Sequence, residues 1–317
     1  MKTLNINPQF TQVMVNNGIL RGHEMTIVDV GASGGYFQFW NIFGDQLKVI
    51  GFEPNEEQFK RLTSNNHVEY FKVGLGKCEE EKIIHITKWP YSSGSYMPNM
   101  SFWHRFPSAE GFEIVGSETI RTVRLDNFRE MNGIRSIDYM KLDTEGSELD
   151  ILEGSVRTLD DVIAVEIEVA FTEVHISRPL FTDIDIFMRE RGFSLYNMET
   201  IKLARKALMP IETNFYSPSH YGQTLAADVL YMKDTLAQSL NRDMLIIDSY
   251  RAIKTICLYE IFCQYDSAIE LLELALKSKI LPGDFECCLD ILVPNTLDRH
   301  LSLKQYRDIA MTLPQPL

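Results

Sequence analysis

No apolar run in the 317-residue chain approaches the ~18–20 residues that a bilayer-crossing helix needs, so no membrane span is expected. The N-terminal MKTLNINPQF carries one lysine and no long apolar stretch, and does not read as a signal peptide. Cysteine is scarce. Cys78, Cys257, Cys263, Cys287 and Cys288 form no CxxC pair and no Cys/His set at zinc spacing. An odd, scattered set of thiols fits a reducing compartment, and the expected location is cytoplasmic. Positive charge is also short: 31 Lys and Arg against 44 Asp and Glu leave a net charge of −13. Phosphate backbones are held by clustered Lys and Arg, so nucleic acid is not the expected partner, whereas a small molecule or carbohydrate is compatible.

With 45% hydrophobic and 11% aromatic residues, the chain is that of a globular protein able to bury a substantial core. Residues 8–21 have the spacing of a short amphipathic helix at the edge of the first domain. Ile27–Gly31 reads as a buried strand that runs into the glycine-dense turn Gly31-Ala32-Ser33-Gly34-Gly35, with a crossover helix expected over Tyr36–Phe43. Val49–Pro54 is a second strand closing on Glu53, 22 positions after Gly31, which makes a right-handed βαβ unit. A helix over Asn55–Asn66 and a strand over Val68–Val73, ending at Gly74-Leu75-Gly76, follow. Lys82–Lys88 and Thr119–Val123 alternate as strands, possible partners in a hairpin outside the parallel order.

Between that pair lies a long irregular piece beginning WPYSSGSYMPNM. Its aromatics and serines suit stacking on, and hydrogen bonding to, a polar ring-shaped acceptor, and Trp89–Gly111 is expected to shape the acceptor pocket. Ile137–Leu142 is a fourth buried strand ending at Asp143, followed by a helix near Ser147–Glu153 with Gly154 as its stop. Val162–Val169 is the fifth, with Glu166 and Glu168 on one face. A helix over Leu180–Arg191 and strands over Phe193–Asn197 and Leu225–Tyr231 complete an antiparallel edge. The expected division is residues 1–235 as the sheet domain and 236–317 as an α-helical extension, with one or two helices over 244–278. That extension could serve core packing or homo-oligomer contact.

A strand, a glycine turn and an acid ending the next strand suit a dinucleotide or S-adenosylmethionine. Dinucleotide sites favour G-x-G-x-x-G, where the second glycine lets backbone approach a pyrophosphate. Here Ser33 stands at that place, and Asp29, two residues before the turn, would repel a pyrophosphate but suit an ammonium. The pattern therefore favours S-adenosylmethionine. Asp29 and the Gly31, Ala32, Ser33, Gly34 and Gly35 turn are placed at its amino-acid end, Glu53 and Pro54 at the ribose, Gly74 and Leu75 at the adenine, and Asp143 beside it.

Taken together, DVGASGG from Asp29, FEP from Phe52, VGLG from Val73, SGSYMPN from Ser93, VRLDNF from Val123, MKLDTEGSELDIL from Met140 and EIEVAF from Glu166 resemble the FkbM family of S-adenosylmethionine-dependent methyltransferases. The likeness covers roughly residues 25–232, and that family more often has Asn where this chain has Ser33. The resemblance implies an α/β, Rossmann-like class I methyltransferase fold of seven mostly parallel strands with helices on both faces. It also implies O-methylation of a hydroxyl on a sugar, glycan or secondary metabolite. A hydroxyl is a poor nucleophile at neutral pH, so such a reaction gains from a general base. Asp143, Glu145, Glu168 and His175 are the candidates near the carboxyl edge, Asp143 first. The competing roles are a capping or cofactor-orienting carboxylate for Asp143, an inward-turned loop ligand for Glu145, a structural carboxylate for Glu168 and a surface loop residue for His175. Asp143, Glu168 and His175 are also hard ligands, but their spacing specifies no metal site. Two other readings stay open: an NAD(P)-dependent oxidoreductase using the same crevice, and a non-catalytic scaffold.

Overall fold

The computed structural model describes residues 4–208, 222–235, 247–294 and 300–312. Its strands are β1 (Met25–Val30), β2 (Leu47–Phe52), β3 (Val68–Phe71), β4 (Gly74–Leu75), β5 (Glu80–Thr87), β6 (Ile114–Val123), β7 (Tyr139–Leu142), β8 (Ala164–Ala170), β9 (Phe193–Leu203) and β10 (Gln223–Lys233). Its α-helices are α1 (Gln9–Asn16), α2 (Glu56–Phe59), α3 (Met100–Trp103), α4 (Leu125–Met131), α5 (Glu148–Glu153), α6 (Val156–Leu159), α7 (Phe181–Glu190), α8 (Ser249–Ile261), α9 (Tyr265–Lys277), α10 (Cys288–Ile291) and α11 (Leu303–Thr312). The chain divides into two compact units. One is residues 26–37 and 48–233; the other is residues 1–25, 38–47 and 234–317.

The larger unit is built on a seven-stranded sheet in the order β3-β2-β1-β7-β8-β10-β9. β2 and β3, β1 and β7, and β7 and β8 pair in parallel. β10 runs against both β8 and β9, so it alone is reversed. This is the class I methyltransferase sheet. The strand order turns between β1 and β7, and at such a switch point the carboxyl ends of the strands leave a crevice. Every residue of β1 is buried, as the near-continuous apolar reading requires of a central parallel strand. Its Val28 and Val30 share one core with Ile50, Phe52, Met140, Leu142, Val165 and Ile167. β5 and β6 form an antiparallel hairpin outside the main sheet, joined by β4 into three strands.

Several boundaries differ from the sequence-based expectation for identifiable reasons. The crossover after β1 is not an α-helix: Gln38–Gln46 makes tight 3-10 turns broken at Gly44, whose φ of 54° and ψ of −127° no helix accommodates. The helix expected over Asn55–Asn66 stops as α at Phe59, ahead of the Thr63-Ser64-Asn65-Asn66 run, whose side chains compete for backbone groups. β9 and β10 are each longer than expected, and β10 is inserted rather than placed on the edge.

The second unit gathers the N-terminal segment with the C-terminal helices, whereas the sequence placed residues 8–21 with the sheet. One carboxylate joins the two. Glu260 Oε1 accepts the Phe10 N–H at 2.8 Å, and Oε2 accepts the Thr11 N–H and hydroxyl, each at 2.8 Å, so Glu260 of α8 satisfies the free donors that open α1. The stretch expected to be helical from 244 holds two helices, α8 and α9. Residues 236–246 and the tail from 313 lie outside the described residues. Glu260→Ala strands three buried donors and is expected to cost about 2–3 kcal/mol in denaturant unfolding, with amides of residues 9–16 losing hydrogen-exchange protection first.

Candidate active site

The turn after β1 is held by its neighbours. The Gly31 and Ala32 amides donate to the Phe52 carbonyl at 3.0 and 3.1 Å, and the Gly35 amide donates to the Ala32 carbonyl at 2.9 Å. Gly31 has φ +81°, and a Cβ there would lie 2.0 Å from the Asp143 carbonyl oxygen, so the ends of β1 and β7 close on each other only through glycine. Ser33 Oγ donates to Gln58 Oε1 at 3.1 Å, tying the turn to α2. A cavity of about 850 Å³ opens above it. Gly31, Ser33, Glu53, Pro54, Gly74, Leu75, Asp143 and Glu145 all line it, and β5, β6 and the 90–95 segment form the far wall. Glu53 accepts the Asn55 N–H at 2.8 Å. Burial, opposed by that bond and reinforced by Glu118 and Asp29, pushes its carboxyl up to about 7.

The block after β7 forms the second side. Asp143 Oδ2 accepts from Lys141 Nζ at 2.8 Å. Burial works against the Lys141 charge, but the Asp143 and Asp29 carboxylates outweigh it and raise its pKa. Glu145 takes a left-handed backbone, φ 57°, which a non-glycine residue holds only where its surroundings impose it. Glu148 imposes it. Glu148 Oε1 accepts the Thr144 N–H at 2.9 Å, the Thr144 hydroxyl at 2.9 Å and the Gly146 N–H at 3.2 Å, while Oε2 pairs with Arg178 Nη2 at 3.4 Å. From above, Gly94 lies against the turn so closely that a Cβ would stand 2.9 Å from the Glu145 carbonyl oxygen. Burial, the neighbouring Asp143 carboxylate and, more weakly, Glu148 push the Glu145 carboxyl up to about 8 against the pull of Arg178. Glu168 is raised well above the usual carboxylate range, first by burial and then by Glu145 and Asp143.

His175 is 1% exposed. Its Nδ1 faces Arg178 Nη1 at 3.4 Å. A guanidinium only donates, so Nδ1 is the acceptor and the ring proton sits on Nε2. Burial and the guanidinium charge push His175 down to about 3, so it is neutral throughout the physiological range.

The aromatic loop differs in kind from the expectation. Trp103, Phe106 and Phe112 are buried in a second core with Val174 and Leu225, against which Trp89 and Phe102 pack. Trp103 stacks on Phe112 at a centroid distance of 3.6 Å and donates its indole N–H to the Val174 carbonyl at 2.9 Å. These rings anchor the loop. Of the piece from Trp89 to Gly111, the strip Pro90–Ser95 lines the cavity, with Tyr91 as its aromatic member.

The model of the methyltransferase FkbM domain matches residues 29–195, just over half of the chain. The chain belongs to the FkbM methyltransferase family. Among curated proteins, the hexuronic acid methyltransferase AglP of Haloferax volcanii is 28% identical over 131 residues, covering 40% of this chain and 49% of that protein. The AMB antimetabolite synthetase AmbE of Pseudomonas aeruginosa is 26% identical over 199 residues, covering 53% of this chain and 9% of that protein. The chain thus spans less than half the length of either relative. Among solved structures, the magnesium protoporphyrin IX methyltransferase ChlM of Synechocystis PCC 6803 with bound SAM aligns with a TM-score of 0.33 and 10% identity over 72% of this chain and 80% of that one. A SAM-dependent methyltransferase of Archaeoglobus fulgidus aligns with a TM-score of 0.33 and 10% identity over 71% and 94%.

Within this FkbM domain, Asp29, Ala32, Gly34 and Gly35 lie outside the cavity lining; Gly34 is exposed, and Asp29 is buried in β1 in register with Lys141. Asp143 and Glu145 reach the cavity; Glu168 and His175 lie outside its lining, next to Arg178. Glu166 accepts from Tyr139 Oη at 3.1 Å. Lys141, Glu148 and Arg178 went unread in the sequence. Glu148 is inside the KLDTEGSE block and was accessible as its third acid, whereas Arg178 sits in an irregular segment without period or motif. Among the described residues no group of three or more His, Cys, Asp or Glu side chains converges to hold a metal ion. Trp103→Ala is expected to cost about 3–5 kcal/mol in chemical denaturation, a loss that an aromatic serving only to stack on an acceptor would not show.

Proposed function

We propose that this FkbM methyltransferase uses S-adenosylmethionine to methylate a hydroxyl of a sugar, glycan or secondary metabolite, with residues 26–233 carrying the reaction. The single observation that supports this most is Glu145: a carboxyl on the cavity wall, held in a forced backbone conformation, whose proton affinity is matched to neutral or mildly alkaline pH. A carbohydrate acceptor is consistent with AglP, a hexuronic acid methyltransferase.

The residues present fit the cofactor. Gly31, closed against the Asp143 carbonyl where no Cβ fits, and Ser33 line the cavity at the turn, Glu53 stands at the end of β2 to accept from ribose hydroxyls, and Gly74-Leu75 offers a wall for adenine. When bound, the cofactor supplies a methyl carbon made electrophilic by its sulfonium. The chain's own contribution is positioning, exclusion of water by Ile84, Ile86 and Ile120, and removal of the acceptor's proton. Among the four candidate bases, Glu145 suits that last task best. Asp143 is engaged by Lys141, and Glu168 and His175 stand away from the cavity lining. Asp143 then serves to orient the bound cofactor.

Calorimetry with S-adenosylmethionine, S-adenosylhomocysteine and NADH tests the cofactor. The two sulfur ligands are expected to bind and NADH not; tighter NADH binding would favour an oxidoreductase. Glu53→Gln should weaken S-adenosylmethionine binding about 10- to 100-fold. Glu145→Gln should lower methyl transfer by about 10²–10⁴-fold with cofactor affinity little changed. Because the base must be ionised, acceptor kcat/KM should rise with pH and level off above about 8; a profile that is flat from pH 6 to 9 would remove Glu145 from the role.

A further inference from the structure

We infer that Arg178 is the positioning residue of this site: through Glu148 it fixes the Thr144–Gly146 turn, and it keeps a buried positive charge facing the Glu145 carboxyl. The inference rests on the reading of Glu145 as the base.

Arg178 is 5% exposed and Glu148 1%, so the pair is shielded from solvent. Replacing such a pair with apolar residues is often neutral or stabilising, so its presence is weakly explained by stability alone. What it does locally is specific. One Glu148 oxygen collects three donors from Thr144 and Gly146, the two residues flanking Glu145, while the other faces the guanidinium. Arg178 in turn is placed by the aromatic core. The Asn99 amide donates to the Val174 carbonyl at 2.9 Å and the Ile176 amide to the Met97 carbonyl at 2.8 Å, pinning the segment that carries Arg178.

The charges around Glu145 come from every neighbouring element. Asp143, paired with Lys141, follows β7; Glu148 opens α5; Glu168 is in β8; Arg178 and neutral His175 follow β8; and Tyr96 and the uncharged Gly94 lie over the turn. Three carboxyls thus share one guanidinium. Glu148 takes the three donors and the ion pair, and Glu145 and Glu168 hold protons more tightly than free carboxyls. Removing Arg178 takes away the cation that opposes this, so the Glu145 midpoint must move up. Neutralising Glu148 removes a repelling charge and frees the guanidinium, so the midpoint must move down.

The test is a carbon-13 NMR titration of the full chain labelled at glutamate carboxyls, with the Glu145 signal assigned by its loss in Glu145→Gln. The wild-type midpoint is expected near 8. Arg178→Gln should raise it by about one pH unit or more, Arg178→Lys should return it close to wild type, and Glu148→Gln should lower it. A wild-type midpoint at the ordinary glutamate value of about 4.3 would overturn the inference. So would an unmoved midpoint in a folded Arg178→Gln, the signature of a merely structural ion pair. Should Arg178→Gln fail to fold, Glu148→Gln and Arg178→Lys decide: an unmoved midpoint in the former, or a strongly raised one in the latter, overturns the inference. No methyl acceptor is needed, so a failure here is separate from a failure to bind S-adenosylmethionine.

Discussion

The approach of β1 to β7 at their carboxyl ends is the constraint on which this site depends. Gly31 and the Asp143 carbonyl meet where no Cβ fits, so the turn that would cradle a cofactor and the block that carries the acids are parts of one contact. Parallel pairing of Ile27 to Val30 with Tyr139 to Leu142 sets the register of that contact. The rest of the cavity is added from outside the sheet. The β5–β6 hairpin and the Pro90–Ser95 strip roof the crevice, with the aromatic core beneath the loop as their anchor.

The second feature is an economy of charge. One buried guanidinium stands among three carboxyls, and burial with mutual repulsion raises two of these, Glu145 and Glu168, above the usual carboxylate range. A carboxylate fully ionised at low pH would be a weaker base, and one buried without any cation would be hard to ionise. Arg178 sets a value between those limits. The left-handed Glu145 backbone then fits the arrangement: the strained residue is the one whose orientation matters most.

Much of this was legible in the chain. The succession of strands along the chain, the glycine turn, Glu53 and the Asp143 block all follow from short buried runs that end in small or acidic residues, a local signal; the insertion of β10 between β8 and β9 does not. The hairpin of β5 and β6 was legible from alternation. What was not legible is long-range. Trp103 and Phe112 looked like an acceptor platform because composition does not reveal that their faces are already occupied. Residues 8–21 looked like part of the sheet domain because the partner of α1, Glu260, lies some 250 positions away. Arg178 was invisible for the same reason. Its meaning comes from Glu148, thirty residues earlier, and not from its own neighbours. The crossover to β2, expected as a helix over Tyr36–Phe43, forms 3-10 turns over Gln38–Gln46 broken at Gly44.

The most direct test of the central claim is the fate of a labelled methyl group. Incubating the protein with cell extract and S-adenosylmethionine carrying a deuterated methyl, followed by mass analysis, is expected to yield a carbohydrate or small metabolite bearing that methyl on oxygen. The same product should be missing with Glu145→Gln. Label appearing on nitrogen or carbon, or undiminished transfer by the Glu145 variant, would contradict the account.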